Sequence, residues 1–246
     1  DVLVELGAAG GRTGARGTEA ALAVARAVLA APRLRLRGVA GYEGSYGSDR
    51  SVATLARVRS FLSEVRELAE TLLSWDALVE PIVTAGGSAF FELVAEELAP
   101  LAASRGRDVT VVLRSGAFQA HDEVFYDGIS PFADSELEFR PALTVWSRVV
   151  SRPEPTLALL DAGKRDLPID LGMPVVHGHL GAVVTGVNDQ HSYLSLPADS
   201  TLAVGDIVRL GISHPCTAFD KWRLIPEVDS ADAAVPVVVG FLETFF

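Results

Sequence analysis

The sequence contains little cysteine, little lysine and few aromatic residues, and these shortages narrow what the protein can be. Cys216 is the single cysteine of 246 residues, so the chain forms no internal disulfide, and we expect a reducing, cytoplasmic location. A formal net charge of -11 and the lack of a basic tract argue against a nucleic-acid partner. The chain also lacks an apolar run of about 18 residues, so we expect no membrane span. The hydrophobic residues, 49% of the total, suffice for one large α/β barrel or two smaller domains.

Residues 1–133 alternate strand-like and helix-like segments. Short apolar runs predict strands over residues 1–7, 34–41, 81–85 and 108–113. Helical spacing predicts helices over residues 19–31 with a Thr18 cap, from Ser48 or Asp49 to about residue 74, and over 90–98. Four consecutive βα units indicate a parallel sheet with helices outside it. Four strands are only half of an α/β barrel, so either the sheet is open or the front half of a barrel is missing. Residues 134–246 show β-type runs separated by turns. We therefore predict a TIM-like α/β barrel, partial in this chain, followed by an antiparallel β domain.

Loops rich in glycine and serine follow the predicted strands. Gly86-Gly87-Ser88 lies between a strand and a helix, where free N–H groups and the helix N-terminus attract anions. Ser115-Gly116 ends the next strand, so its amides are expected to meet the same anion, with phosphate as the natural candidate. The alternative is an ordinary tight turn with a helix cap.

Two further side chains in this half follow predicted strands. Arg12 lies in a glycine-rich turn and Tyr42 ends the second strand. Strand-end loops carry the sites of α/β folds, so both residues are candidates for contact with a ligand. The alternatives are a surface salt bridge for Arg12 and a partly buried rim position for Tyr42.

The candidate metal site lies at His214 and Cys216. Alternate residues of an extended segment point the same way, so the imidazole and the thiolate can reach one ion. The intervening Pro215 favours such an extended backbone. Zinc or a similar divalent ion suits these ligands. The alternative is a buried thiol beside a hydrogen-bonded histidine.

The chain carries a series of short motifs in a definite order. They are Gly11-Arg-Thr-Gly14, Gly41-Tyr-Glu-Gly44, Ala85-Gly-Gly-Ser88, Arg114-Ser-Gly116, Asp161-Ala-Gly-Lys-Arg-Asp166, Asn188-Asp-Gln-His191 and His214-Pro-Cys216. By their number and order they resemble the D-serine dehydratase-like family of fold-type III pyridoxal-phosphate enzymes. This family includes D-serine dehydratase, D-threonine aldolase and bacterial amino acid deaminases.

The resemblance implies a cofactor, a metal ion and roles for the candidate residues. The phosphate of pyridoxal 5'-phosphate would be held by Gly86, Gly87, Ser88, Ser115 and Gly116, and its ring would be flanked by Arg12 and Tyr42. Zinc, manganese or another divalent ion would be bound by His214 and Cys216. His214 and His191 would be the catalytic residues, with His191 as a proton carrier or an outer metal ligand.

One residue that the family requires has no counterpart. Such enzymes use a lysine on the first barrel strand to form a Schiff base. Lys164 and Lys221, the two lysines of this chain, lie in its second half. We therefore expect that the front half of a longer protein is absent from this chain, and that the chain alone is inactive.

The resemblance also implies a reaction class. We expect a homodimeric lyase that acts on a small D-hydroxy amino acid, such as D-serine, and gives a keto acid and ammonia. The same ligands serve cleavage between Cα and Cβ, so a D-threonine aldolase is the alternative. A third possibility, from another class, is a non-catalytic binding protein that keeps the fold without the lysine.

Overall fold

The chain divides into two compact units, Asp1–Gly116 and Ala117–Phe246, in a computed structural model that describes residues 1–106, 108–133, 136–233 and 235–245. This division lies before the boundary that the sequence predicts between residues 133 and 134. The reason is a set of backbone hydrogen bonds. Glu123 donates to the carbonyl of Ile212 at 3.2 Å, and Phe125 donates to that of Ser213 at 3.3 Å. These contacts assign the segment after Gly116 to the second unit.

The first unit is a parallel sheet with helices. Its elements are β1 (Val2–Gly7), β2 (Ala15–Arg16), α1 (Thr18–Ala30), β3 (Leu36–Gly41), a 3-10 helix (Glu43–Tyr46), α2 (Val52–Ser74), β4 (Ile82–Ala85), α3 (Phe91–Leu98), a second 3-10 helix (Ala99–Gly106) and β5 (Thr110–Leu113). The strand order is β2-β1-β3-β4-β5, and every pair is parallel. The four predicted strands and three predicted helices are present, and β2 is a short addition.

Two helices begin at other residues than predicted. The N-cap of α1 is Gly17, with φ of 83° and no side-chain bond, so Thr18 lies inside the first turn. The N-cap of α2 is Ser51, whose hydroxyl accepts the N–H of Thr54 at 3.2 Å. Asp49 instead accepts the N–H of Ser51 at 2.8 Å. Several capping residues precede each helix, and the local sequence does not decide among them.

The long helix α2 buries the apolar stripe that its spacing predicts. The residues of this stripe that are 0% exposed are Val58, Leu62, Val65, Leu68 and Leu72, whereas Leu55 is half-buried. Fully burying one such side chain contributes about 1.5–3 kcal/mol. This face therefore anchors the first unit.

The second unit is mainly antiparallel. Its elements are α4 (Ala117–Ala120), α5 (Phe125–Ile129), β6 (Thr144–Glu154), β7 (Leu157–Leu160), β8 (Val175–His177), β9 (Val183–Val187), β10 (Ser192–Ser195), β11 (Ile207–Gly211), β12 (Leu224–Val228) and β13 (Val238–Glu243). Six strands form a sheet in the order β8-β11-β6-β7-β10-β9, and β12 pairs with β13. Every pair is antiparallel. The predicted antiparallel β domain is thus confirmed.

None of the helices in the described ranges has the length and apolar composition that crossing a bilayer requires.

Candidate functional site

The loops after the strands of the first unit bring the predicted ring-flanking residues together. The guanidinium of Arg12 lies 5.8 Å from the ring centroid of Tyr42, within the range of a cation–π contact. Tyr42 also lies against the turn after β4, since a Cβ on Gly87 would be 3.2 Å from its ring. The residues expected to flank a cofactor ring therefore contact each other and one residue of the expected phosphate turn.

The turns after β4 and β5 are interlocked. Ser115 Oγ donates to the carbonyl of Gly87 at 3.2 Å. Gly86 has φ of 139°, and a Cβ there would lie 2.8 Å from Ser115 Oγ, so glycine is required. Ser88 is buried. The space beside Gly116 is open, because a Cβ there would meet nothing within 4 Å.

A buried glutamate occupies the turn that the sequence assigns to a phosphate. The N–H of Gly86 donates to Glu43 Oε2 at 3.1 Å, and the N–H of Gly87 donates to Glu43 Oε1. Glu43 is 0% exposed. Burial raises its pKa, an effect partly offset by backbone N–H donors and by the charge of Arg114. Both amides that the sequence assigns to a phosphate thus already donate to a carboxylate, and the predicted phosphate role of Gly86 and Gly87 stays a prediction.

A small cavity lies at the end of β1. Its volume is about 130 Å³, and its lining includes Arg12, Tyr42 and Glu5. Pockets for drug-sized ligands begin at roughly 300 Å³. The cavity is thus smaller than a pocket for a drug-sized ligand. The cation, the aromatic ring and the open Gly116 suit a phosphorylated aromatic ligand, but both lysines lie outside this unit.

The second group of candidate residues lies on the loop after β11. His214 Nδ1 is 2.7 Å from Asp170 Oδ2, and Thr217 Oγ1 donates to Asp170 Oδ1 at 3.3 Å. His214 is 9% exposed, while Cys216 is an exposed free thiol. Since Asp170 binds Nδ1, Nε2 remains as the ring nitrogen for a metal ion. A carboxylate on the other ring nitrogen is the usual support of a metal-binding histidine.

His214 and Cys216 are close enough to interact. Burial lowers the pKa of His214, but hydrogen bonds with Cys216 and Asp170, together with their charges, raise it to about 9. A metal ion therefore has to displace a proton from this imidazole near neutral pH. The donor set of one thiol and one imidazole suits zinc or a similar ion.

This pKa gives a prediction on pH dependence. Because the folded-state pKa of His214 lies above its ordinary value of 6.5, the charged imidazole stabilises the metal-free fold below about pH 6.5, and this contribution is lost as pH rises through about 9. Metal affinity should rise over the same interval. In Cys216→Ser the pKa should fall toward 6.5, as measured by NMR titration of the imidazole. An unchanged pKa in this variant would contradict the assigned contact.

Aromatic side chains of α5 form a wall beside His214. The rings of Phe125 and Tyr126 have centroids 5.6 and 5.7 Å from that of His214. Asp122 holds this turn, because its Oδ1 accepts the N–H groups of Val124 at 2.9 Å and Tyr126 at 3.0 Å. Burial raises the pKa of Asp122. The side chain of Asp122 thus orders the segment that packs on the histidine.

The other histidines have different surroundings. His191 is exposed in the turn between β9 and β10, beside a second cavity of about 370 Å³ that Lys164 also lines. The contacts described for His214 are with Asp170, Cys216, Phe125 and Tyr126, and His191 is not among them. The predicted catalytic role of His191 therefore stays a prediction. His177 Nε2 lies 2.7 Å from Glu123 Oε1, so this imidazole is paired with a carboxylate.

The predicted metal ligands form only a pair among the described residues. Over the ranges that the structure covers, no group of three or more His, Cys, Asp or Glu side chains is placed to hold a metal ion. As predicted ligands, His214 and Cys216 would supply two positions, and zinc needs four ligands in all. The remaining positions are therefore left to groups that the described residues do not supply, such as water or substrate.

Sequence reasoning missed Glu43 and Asp170. Both contact their partners across more than forty residues of chain, so no local spacing connects them. Glu43 lies in the motif Gly41-Tyr-Glu-Gly44, and its position directly after a strand was the available signal. Asp170 carried no signal beyond being an acidic residue in a loop.

Comparisons with known proteins agree with the motifs. Residues 142–228 match the family model described as "Putative serine dehydratase domain". The D-threonine aldolase of Arthrobacter sp. is 27% identical over 221 residues, covering 89% of this chain and 55% of that protein. The 3-hydroxy-D-aspartate aldolase of Paracoccus denitrificans (strain Pd 1222) is 26% identical over 219 residues, covering 87% and 53%. The chain spans about half the length of the curated relatives it matches.

Solved structures share the fold. The D-threonine aldolase from Filomicrobium marinum gives a TM-score of 0.78 at 24% identity, covering 98% of this chain and 61% of that one. An alanine racemase-like protein from Idiomarina loihiensis gives a TM-score of 0.66 at 16% identity, covering 91% and 60%. The predicted fold class, part of an α/β barrel followed by an antiparallel β domain, is confirmed. This chain is thus similar to a serine dehydratase domain over residues 142–228 and, over most of its length, to curated aldolases of D-hydroxy amino acids.

Proposed function

We propose that this chain is part of a pyridoxal-phosphate- and metal-dependent lyase that acts on 3-hydroxy-D-amino acids. The observation that carries the proposal is the buried imidazole of His214, bound at Nδ1 by Asp170 and interacting with the thiol of Cys216. An imidazole and a thiolate are common protein ligands of a divalent ion such as zinc. Sequence similarity to curated aldolases of D-hydroxy amino acids supports the same class of reaction.

The first unit would hold the cofactor. Arg12 and Tyr42 would flank its ring, while Ser88, Ser115 and Gly116 would contact its phosphate. Bound pyridoxal phosphate supplies an electron sink for the negative charge that develops at Cα. The lysine that anchors the cofactor would come from residues outside this chain, in keeping with its coverage of about half of its relatives.

The second unit would hold the metal ion. Its ligands would be Nε2 of His214 and the thiolate of Cys216, with Asp170 keeping the imidazole in the correct orientation. A bound divalent ion supplies Lewis-acid polarisation of the substrate hydroxyl. The wall of Phe125 and Tyr126 would shield one side of this imidazole from water.

Two outcomes follow from the same groups. Cleavage between Cα and Cβ, the aldolase outcome, is favoured by the names of the curated sequence relatives. Loss of the hydroxyl, the dehydratase outcome expected from the motifs, is favoured by the cysteine at position 216 beside His214. The homodimer and the cytoplasmic location stay predictions.

Product analysis on the complete protein tests the proposal. With the cofactor and Zn²⁺ or Mn²⁺ present, D-threonine should give glycine and acetaldehyde, or D-serine should give pyruvate and ammonia. Chelation should abolish turnover, and re-addition of metal should restore it. Cofactor binding without either product would favour the non-catalytic binding protein, and absence of cofactor binding would end the proposal.

A further inference from the structure

We infer that Glu43 is the resident anion of the Gly86-Gly87 turn and the residue that positions the turns at the ends of β4 and β5. A cofactor phosphate would then bind beside the turn, at Ser115-Gly116, and not on the amides of Gly86 and Gly87. This inference rests on the proposed function for the identity of the phosphate, but its structural part concerns this chain alone.

The first argument is that the N–H groups of Gly86 and Gly87 already have a hydrogen-bond acceptor. Both carboxylate oxygens of Glu43 are used, one by each glycine N–H. Consecutive N–H groups that point to one concavity form an anion site, and here the chain itself supplies the anion. Glu43 follows Tyr42 directly, and both lie against Gly87. The end of β3 is therefore tied to the end of β4 through one buried carboxylate.

The second argument is charge. The cation next to Glu43 is Arg114, whose Nε donates to Thr84 Oγ1 at 3.0 Å and whose Nη2 donates to the carbonyl of Gly41 at 2.5 Å. Arg114 is thus fixed beside the strands. A phosphate on the same two amides would place a second anion against a carboxylate that is 0% exposed, and like charges at such distances repel strongly.

The third argument is the space that remains. Ser115 Oγ is engaged with the carbonyl of Gly87, which links the β5 turn to the turn that Glu43 holds. Gly116, the next residue, has open space where a side chain would be. Among the three glycines of the predicted phosphate site, Gly86 and Gly87 have close neighbours at the Cβ position, whereas Gly116 has none within 4 Å and leaves room for an incoming anion. Glu43 thus acts on the phosphate site through the two turns it stabilises.

The test uses the complete protein with glycine-selective ¹⁵N labelling, and the probes are inorganic phosphate and pyridoxal 5'-phosphate. In wild type, the amides of Gly86 and Gly87 should be protected from hydrogen exchange without any ligand, and the resonance of Gly116 should move most on adding phosphate. Glu43→Gln retains the shape but only one acceptor, so protection of one amide should fall. Glu43→Ala should lose protection at both.

Affinity gives the second readout. Glu43→Gln and Glu43→Ala should bind pyridoxal 5'-phosphate on the order of tenfold more weakly or worse. One or two buried N–H donors lose their acceptor in these variants, so the turns beside the phosphate are no longer held in place. The matched control is Glu96→Gln, which removes the same charge from an exposed ion pair with Arg59 and should change neither readout. If Glu43→Ala is too unstable to study, Glu43→Gln carries the test.

The outcomes separate this inference from the proposed function. Tighter phosphate binding by the Glu43 variants, or largest shifts at Gly86 and Gly87, would show that the carboxylate competes with phosphate and would overturn the inference. Unprotected amides in wild type would also overturn it. Protected amides that depend on Glu43, in a protein that binds no pyridoxal 5'-phosphate, would support the resident carboxylate and reject the proposed function.

Discussion

The complete protein carrying His214→Ala is expected to bind Zn²⁺ more than about 100-fold more weakly than wild type. Loss of an outer-shell partner already costs about 10–100-fold, and His214 is a direct ligand in our proposal. Cys216→Ser should have a comparable effect, because a hydroxyl is a poor substitute for a thiolate. Asp170→Asn should fall between these variants and wild type, since it weakens only the bond to Nδ1. Metal content and competition with a chelator at pH 8 measure all three.

His177→Ala is the matched control for the metal prediction. His177 is also an imidazole of the second unit paired with a carboxylate, with 2.7 Å between Nε2 and Glu123 Oε1. Its removal should leave metal affinity within about twofold of wild type. A loss equal to that of His214→Ala would show that metal binding does not depend on the pair at 214 and 216, and the proposed site would be wrong.

Gly163→Ala is expected to destabilise the second unit by about 3 kcal/mol or more. A Cβ at this position would lie 2.5 Å from both the carbonyl oxygen of Asn188 and the nitrogen of Gln190. These are backbone atoms, so no side chain can rotate away. The backbone hydrogen bond from the N–H of Lys164 to the carbonyl of Asn188, 2.9 Å long, would have to break. The turn that carries His191 would then move.

Gly186→Ala is the control for this prediction. Gly186 lies in β9, next to the same turn, and a Cβ there would meet nothing within 4 Å. Its effect should stay within about 0.5 kcal/mol. Urea unfolding followed by tryptophan fluorescence measures both variants, because Trp222 Nε1 donates to the carbonyl of Asp166 in the affected loop at 3.1 Å. Equal stability of the two variants would refute the steric argument.

Local patterns were enough to place the strands and helices. The core strands β1, β3, β4 and β5 come from short apolar runs, and α2 comes from apolar residues at helical spacing, so each depends on neighbours in sequence. Helix caps were less certain, because Gly17 and Ser51 compete with nearby residues of similar capping ability. The compact units divide at Gly116, before the predicted boundary, because Glu123 and Phe125 hydrogen-bond to residues that are distant in sequence.

The candidate site, too, could be predicted from the sequence only in part. His214 and Cys216 were found from the sequence because an extended segment presents alternate residues to one side. Their support by Asp170 was not, because the chain brings these groups together only when β11 and the loop before β8 have folded.

The sequence by itself determined the fold class, the family resemblance and the residue types available for a phosphate and a metal ion, because these depend on periodicity, composition and short motifs. Only the tertiary structure decided which groups are already paired. It bound the amides of Gly86 and Gly87 to the buried carboxylate of Glu43, and the imidazole of His214 to Asp170. Hydrogen bonds between distant residues depend on how the strands pack, which no local pattern specifies.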